Sequence, residues 1–167
     1  GMVFFDANNG WLTRQCGGLY ELPPLDHTTD GGQTWTVLSP PAPASMPDLF
    51  NNYFCSFYSP NALSAQSVIV DLKCNSNADY NVEKDFLYST TDGGATWTTY
   101  PLPADYKLGE GLHFFDAQNG FAFGRMIYKT ANGGQGWTFV QQVYWDGQFS
   151  FVNASQRAHQ QGGKVAA

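Results

Sequence analysis

The chain has 167 residues, enough for one domain with a sizeable core, and a net charge of −6, with 13% charged and 16% aromatic residues. Its eight Lys and Arg form no cluster, so neither a nucleic-acid backbone nor an anionic membrane surface finds an electrostatic footprint. No apolar run approaches the roughly 20 residues of a membrane helix, and no basic-then-apolar signal stretch stands at the start, where Gly1-Met2 reads as a scar or as the entry point of a longer chain.

Few charges, many aromatics, 18 Gly and 9 Pro predict an all-β chain of short strands and tight turns. No stretch free of Gly and Pro keeps a helical apolar period. The first element, Phe4-Phe5-Asp6-Ala7-Asn8-Asn9-Gly10-Trp11-Leu12, reads as strand, Asn/Gly-rich turn, strand. It is followed by Thr28-Thr29-Asp30-Gly31-Gly32-Gln33-Thr34-Trp35, a second turn between strands. Pro40-Pro41-Ala42-Pro43-Ala44 then interrupts strand structure, because proline lacks a ladder donor. Phe57-Tyr58-Ser59-Pro60-Asn61-Ala62-Leu63-Ser64-Ala65 is a weaker copy of the first element. Thr90-Thr91-Asp92-Gly93-Gly94-Ala95-Thr96-Trp97 repeats the second, and Pro101-Leu102-Pro103 interrupts again. Phe114-Phe115-Asp116-Ala117-Gln118-Asn119-Gly120-Phe121-Ala122 matches the first element closely, and Thr130-Ala131-Asn132-Gly133-Gly134-Gln135-Gly136-Trp137 is a degenerate copy of the second. A last partial copy lies at Phe151-Val152-Asn153-Ala154-Ser155-Gln156-Arg157-Ala158.

Four short antiparallel strands per repeat make a β-propeller blade. Blade 1 is expected near residues 2–39, blade 2 near 52–101, blade 3 near 111–142, and the start of a fourth near 149–159. A closed propeller has about 4–8 blades, so the chain is expected to be part of a ring, completed by more chain or by other copies, and not a closed monomer by itself. The repeated turn has a chemical logic. Asp30 and Asp92 accept hydrogen bonds from turn amides, and Asn132 does so through its amide oxygen. Gly32, Gly94 and Gly134 supply positive φ. Thr28, Thr34, Thr90, Thr96 and Thr130 add hydroxyls, while Trp35, Trp97 and Trp137 fill seams between strands or blades.

Two full matches to S/T-x-D-x-G-x-T-W and one degenerate match resemble the Asp-box (BNR) repeats of a β-propeller superfamily, over most of the chain. The pairing of F-x-D-x-x-x-G-[WF] with T-x-D-G-G-x-T-W looks most like propellers of the photosystem II stability/assembly factor type. That resemblance implies a seven-bladed, non-enzymatic scaffold outside the cytoplasm with a basic surface patch, a patch this acidic chain lacks.

Sialidases carry such boxes too and use three arginines with an Arg-Ile-Pro element. Here Arg14, Arg125 and Arg157 are all the arginines and no Arg-Ile-Pro occurs, although Arg14 and Arg125 hold similar places after a blade's second strand. A glycosidase needs two carboxylates roughly 5–10 Å apart. Asp6, Asp30, Asp92 and Asp116 belong to turns, and among the rest Glu21, Glu83, Asp85, Glu110 and Asp146 show no recognisable pairing. His27, His113 and His159 have no metal-ligand spacing, and Asp79–Asp85 is either a solvated acidic loop or a weak calcium loop. The three cysteines read as buried thiols, or as a Cys55–Cys74 bridge between neighbouring strands with Cys16 left over, which would point to an oxidising compartment. The aromatic runs Tyr53, Phe54, Phe57, Tyr58 and Tyr144, Trp145, Phe149, Phe151 are core, with an exposed subset marking an interface or a sugar platform. No catalytic residue, cofactor or metal is expected. The function expected is an extracellular, periplasmic or cell-surface scaffold for a protein partner or a carbohydrate polymer, and the alternative is the non-catalytic portion of a sialidase-like or other Asp-box glycoside hydrolase.

Overall fold

The computed structural model describes residues 1–14, 23–103, 109–143, 149–150 and 159–160. Cys16, Glu21, Tyr144, Trp145, Asp146, Phe151 and Arg157 lie outside the described residues. Three four-stranded antiparallel sheets follow one another along the chain, each a meander in sequence order. The first holds β1 (Met2–Phe4), β2 (Gly10–Thr13), β3 (Leu25–Thr28) and β4 (Thr36–Leu38). The second holds β5 (Tyr53–Ser64), β6 (Ser67–Ser76), β7 (Glu83–Thr90) and β8 (Thr98–Pro101). The third holds β9 (Gly109–Phe114), β10 (Gly120–Gly124), β11 (Met126–Thr130) and β12 (Thr138–Gln142). A short pair, β13 (Phe149–Ser150) with β14 (His159–Gln160), follows, and a single helical turn, α1 (Leu49–Asn52), precedes β5.

The sheets stack through their faces, with the second in the middle. Along β6, Val68, Val70, Leu72 and Cys74 turn toward the first sheet, where they meet Trp11 and Leu25. Ile69 turns the other way, and with Leu87 it meets Leu112, Phe114, Ala122 and Tyr128 of the third sheet. Period-2 alternation with both faces apolar is what a strand between two neighbours requires. On β11 the same alternation sends Tyr128 toward the second sheet and Ile127 to the far side, where it packs with Phe121 and Val143. The last strand of each sheet is its exposed outer edge, and every residue of β12 is exposed. Sheets sharing core faces in sequence order, outer strands in solvent, are propeller blades.

Two seams are tied by side chains as well as by packing. Asn61 on β5 donates through Nδ2 to Leu112 O (3.2 Å) and accepts at Oδ1 from Phe114 N (3.1 Å), clasping β9 of the next blade. His27 on β3 meets Ala65 O of the second sheet at 3.1 Å and stacks on Trp11 with ring centroids 4.0 Å apart. Tyr88 donates its hydroxyl to Pro41 O (2.9 Å), so the proline-rich connection is held against β7.

Two expectations need correction. No turn lies within Phe57–Ala65 before its end: β5 runs through to Ser64 and the turn falls at Ala65-Gln66. Phe57 is buried opposite Leu72, and Ser59 (φ 47°) with Pro60 is absorbed as a register shift between Tyr58 and Asn61. A bulge accommodates what reads as a turn signal. Pro101, expected between strands, is the last residue of β8, paired with Phe86. On an outer edge its missing donor costs no ladder bond.

Candidate functional site

The three box turns are nearly superimposable in their bonding. Thr28 Oγ1 donates to Asp30 Oδ1 (2.8 Å) and accepts from Gly32 N (2.9 Å), while the same Asp30 oxygen accepts from Thr34 N (2.9 Å). Thr34 Oγ1 closes the turn on Asp30 Oδ2 at 2.6 Å. Thr90, Asp92, Gly94 and Thr96 repeat every one of these bonds. In the third turn Asn132 Oδ1 accepts from Thr130 Oγ1 and Gly136 N, both at 2.9 Å, and Thr130 Oγ1 accepts from Gly134 N. The fourth bond is missing there because Gly136 has no hydroxyl. Trp35 and Trp97 donate Nε1 to Gly32 O and Gly94 O, whereas buried Trp137 Nε1 has no partner among the described residues. Gly94 and Gly134 sit at φ 93° and 87°, and a β-carbon there would strike Leu38 and Leu87 of the preceding blade. At Gly94 and Gly134, glycine is therefore favoured by the close approach of the preceding blade as well as by the turn.

The other turns at this end are also pinned. Asp6 Oδ1 accepts from Asn8 N and Asn9 N (both 2.8 Å), and Asp116 Oδ1 accepts likewise from Gln118 N and Asn119 N. Each box then grips its neighbouring turn by one backbone bond: Gly31 N to Asn8 O, Gly93 N to Gln66 O, Gly133 N to Gln118 O. Gln66 is thus the second-blade counterpart of Asn8 and Gln118. All of these carboxylates are held in the charged form. The Thr34 hydroxyl and amide, then the Thr28 hydroxyl, pull Asp30 down to about 2, and Thr96 with Thr90 does the same to Asp92. Asp6 and Asp116 are lowered chiefly by the amides of Asn8 and Gln118.

Between the second and third blades this end opens into a groove of about 700 Å³. Its floor is Leu63, Ile69 and Phe114; its walls are the hydroxyls of Ser67, Ser89 and Thr98, the ring of Tyr100, and the turn residues Asp116, Gln118, Asn132 and Gln135. Phe5 of the first blade, 48% exposed, also lines it. Ligand grooves of this size pair an apolar floor with a few polar groups. The sequence singles out Asp116 and Asn132 as turn residues, but not Ser67, Ser89, Thr98 or Tyr100. These alternate along ordinary strands, and only the stacking of blades brings them together.

The structure does not assemble a sialidase-like centre from the described residues. Arg14 is tied to Asp26 by two hydrogen bonds (2.6 and 2.9 Å), and Arg125 is an exposed strand-end residue. Asp79 accepts from Asn81 N and Nδ2, closing the β6–β7 hairpin. His27 is packed in the seam between the first two sheets and His113 lies against Phe115 on the far face of the third, and burial lowers both pKa values. No group of three or more His, Cys, Asp or Glu with metal-binding geometry occurs among the described residues. Phe57 is core, Tyr53 and Phe54 are half-buried, and Tyr58 is exposed beneath the Lys73 ammonium. Cys55 and Cys74, directly opposite on β5 and β6, form a disulfide with Cα atoms 4.1 Å apart. That separation is shorter than the 4.4–6.8 Å common for disulfides.

No protein-family model and no curated protein matches the chain. Among solved structures it is similar to YCF48 bound to D1 peptide, at 22% identity and a TM-score of 0.55 over 83% of this chain. It is similar to YCF48 from Cyanidioschyzon merolae at 22% identity and a TM-score of 0.54, again over 83%. The chain spans 38% of the length of each of those chains. At that identity the likeness concerns architecture: the chain has a β-propeller fold.

Proposed function

We propose that this chain belongs to a non-catalytic, extracytoplasmic propeller scaffold that binds a protein partner at the box end of its blades. The observation that carries this reading is the groove between the second and third blades, open, floored by apolar side chains and walled by hydroxyls and amides. Asp116, the one carboxylate among its described lining residues, is engaged by its own turn amides, so those residues offer contact surface and no acid–base pair. The fold neighbour YCF48 in its complex with D1 peptide supports peptide binding on this architecture. The buried Cys55–Cys74 disulfide supports an oxidising compartment, whether extracellular, periplasmic or cell-surface.

The test is site-specific photo-cross-linking in cells producing the protein. A benzophenone side chain at exposed Gln118, beside the groove, is expected to trap a protein partner, while the same probe at exposed Asn77, in the loop at the opposite end of the second blade, is not. Equal trapping at both positions, or none at Gln118, contradicts the proposal, as does hydrolysis of aryl glycosides by the purified chain.

A further inference from the structure

The described basic residues lie mainly at one end of the sheets, away from the boxes. In a four-stranded meander the first and third turns lie at one end, and the backbone bonds from Gly31, Gly93 and Gly133 to the facing turns hold them together there. That end carries Asp6, Asp30, Asp92 and Asp116. Asp116 lines the groove, while Asp6 and Asp92 each adjoin a lining residue, Phe5 and Thr91. No Lys or Arg is among the described lining residues. Arg14, Lys73, Lys84 and Arg125 lie toward the opposite ends of their sheets, where Asp26, Asp79, Glu83 and Asp85 accompany them, so the excess of negative charge over positive is greater at the box end. Lys129 is near a box but shares its side of β11 with Ile127, which faces away from the second blade.

These carboxylates are unsuited to be direct ligands, because the turn amides and hydroxyls already take their oxygens. Their effect is a field. A rim of fixed negative charges around a low-dielectric floor attracts cations and repels anions. The floor and walls define the rest of the ligand. Leu63, Ile69 and Phe114 accept apolar side chains, and the Ser67, Ser89 and Thr98 hydroxyls can exchange hydrogen bonds with backbone amides. Resting on the function proposed above, we propose that the groove's occupant is an extended polypeptide segment of basic character, with Lys or Arg side chains reaching the carboxylate rim and its backbone lying along the hydroxyl-lined walls. A neutral glycan would gain nothing from the rim, and an acidic segment would be repelled.

Fluorescence anisotropy on the 167-residue chain tests this with a fluorescein-labelled octapeptide alternating arginine and threonine, its glutamate counterpart, and labelled chitohexaose. The arginine peptide is expected to bind, and to bind about tenfold or more weakly at about 500 mM salt than at about 50 mM. Thr98→Arg, a substitution at an exposed groove position, is expected to weaken it by about tenfold or more, and Asn77→Arg to leave it unchanged. Asp116→Asn keeps an acceptor for the turn amides and is expected to weaken binding severalfold with an unaltered circular dichroism spectrum. Equal affinity for the glutamate peptide, binding indifferent to salt or to Thr98→Arg, or binding of chitohexaose alone overturns the inference. If the arginine peptide fails while Gln118 still traps a protein in cells, the scaffold reading stands and only the basic character of its partner is refuted.

Discussion

Thr90 shows how much a single hydroxyl does in these turns. It is buried, donates to Asp92 and accepts from Gly94 N, so Thr90→Val leaves a half-buried amide without its acceptor. The loss is expected to be about 1–3 kcal/mol by urea denaturation, and a change within error would show that the turn re-forms without it. The carboxylates add a pH dependence. Asp30 and Asp92 have folded pKa values of about 2, below the roughly 3.9 of an unfolded Asp, so their stabilisation is complete above about pH 4 and disappears as pH falls toward 2. Amide protection at Thr34 and Thr96 is therefore expected to collapse in that window, while Gly136, bonded to the amide oxygen of Asn132, keeps its protection. Simultaneous loss at all three would mean that global unfolding, not the carboxylates, sets the acid limit. This chemistry was legible from residue types alone, because the turn is local and its donors and acceptors lie within a few positions of each other.

At the level of strands, sequence was a poorer guide wherever long-range pairing decides. Ser59-Pro60-Asn61 carries every mark of a turn, yet the long β5–β6 ladder carries the strand past it as a bulge. The bulge places Asn61 where it clasps both Leu112 O and Phe114 N, a seam that no local pattern announces. Asn61→Ala removes both bonds and is expected to cost about 1–3 kcal/mol, with faster exchange of the Phe114 amide than of the Ala122 amide on the neighbouring strand. Unchanged Phe114 exchange would exclude the clasp. The Cys55–Cys74 pair lay at the limit of legibility: spacing allowed neighbouring strands, and only the register puts the two residues opposite each other. Replacing both by serine opens a loop closed over a sequence separation of 19 and is expected to cost about 3 kcal/mol. Alkylation in denaturant without reductant should spare both cysteines, and labelling of either would show the bridge is absent.

For the whole molecule, the repeat pattern foretold blades, but the groove is a property of their stacking. Ser67, Ser89, Thr98 and Tyr100 are spread over three strands of one sheet and meet the turn of the next only because both faces of the second sheet are buried. On the far face of the first sheet the row Met2, Leu12, Asp26, Val37 crosses all four strands; its outer members Met2 and Val37 are 63% and 59% exposed, while Asp26 is buried and Leu12 half-buried. The central claim is thus that three successive blades stack with the second enclosed by the first and third. Native-state hydrogen exchange, resolved by residue, measures this most directly. If the claim holds, the amides of Val68, Ile69, Val70 and Leu72 on β6 exchange slowest in the chain, and those of the outer strands β4 and β12 exchange fastest among the strands. A β6 that exchanges as fast as β12 would mean the second sheet is not enclosed, and would contradict the account.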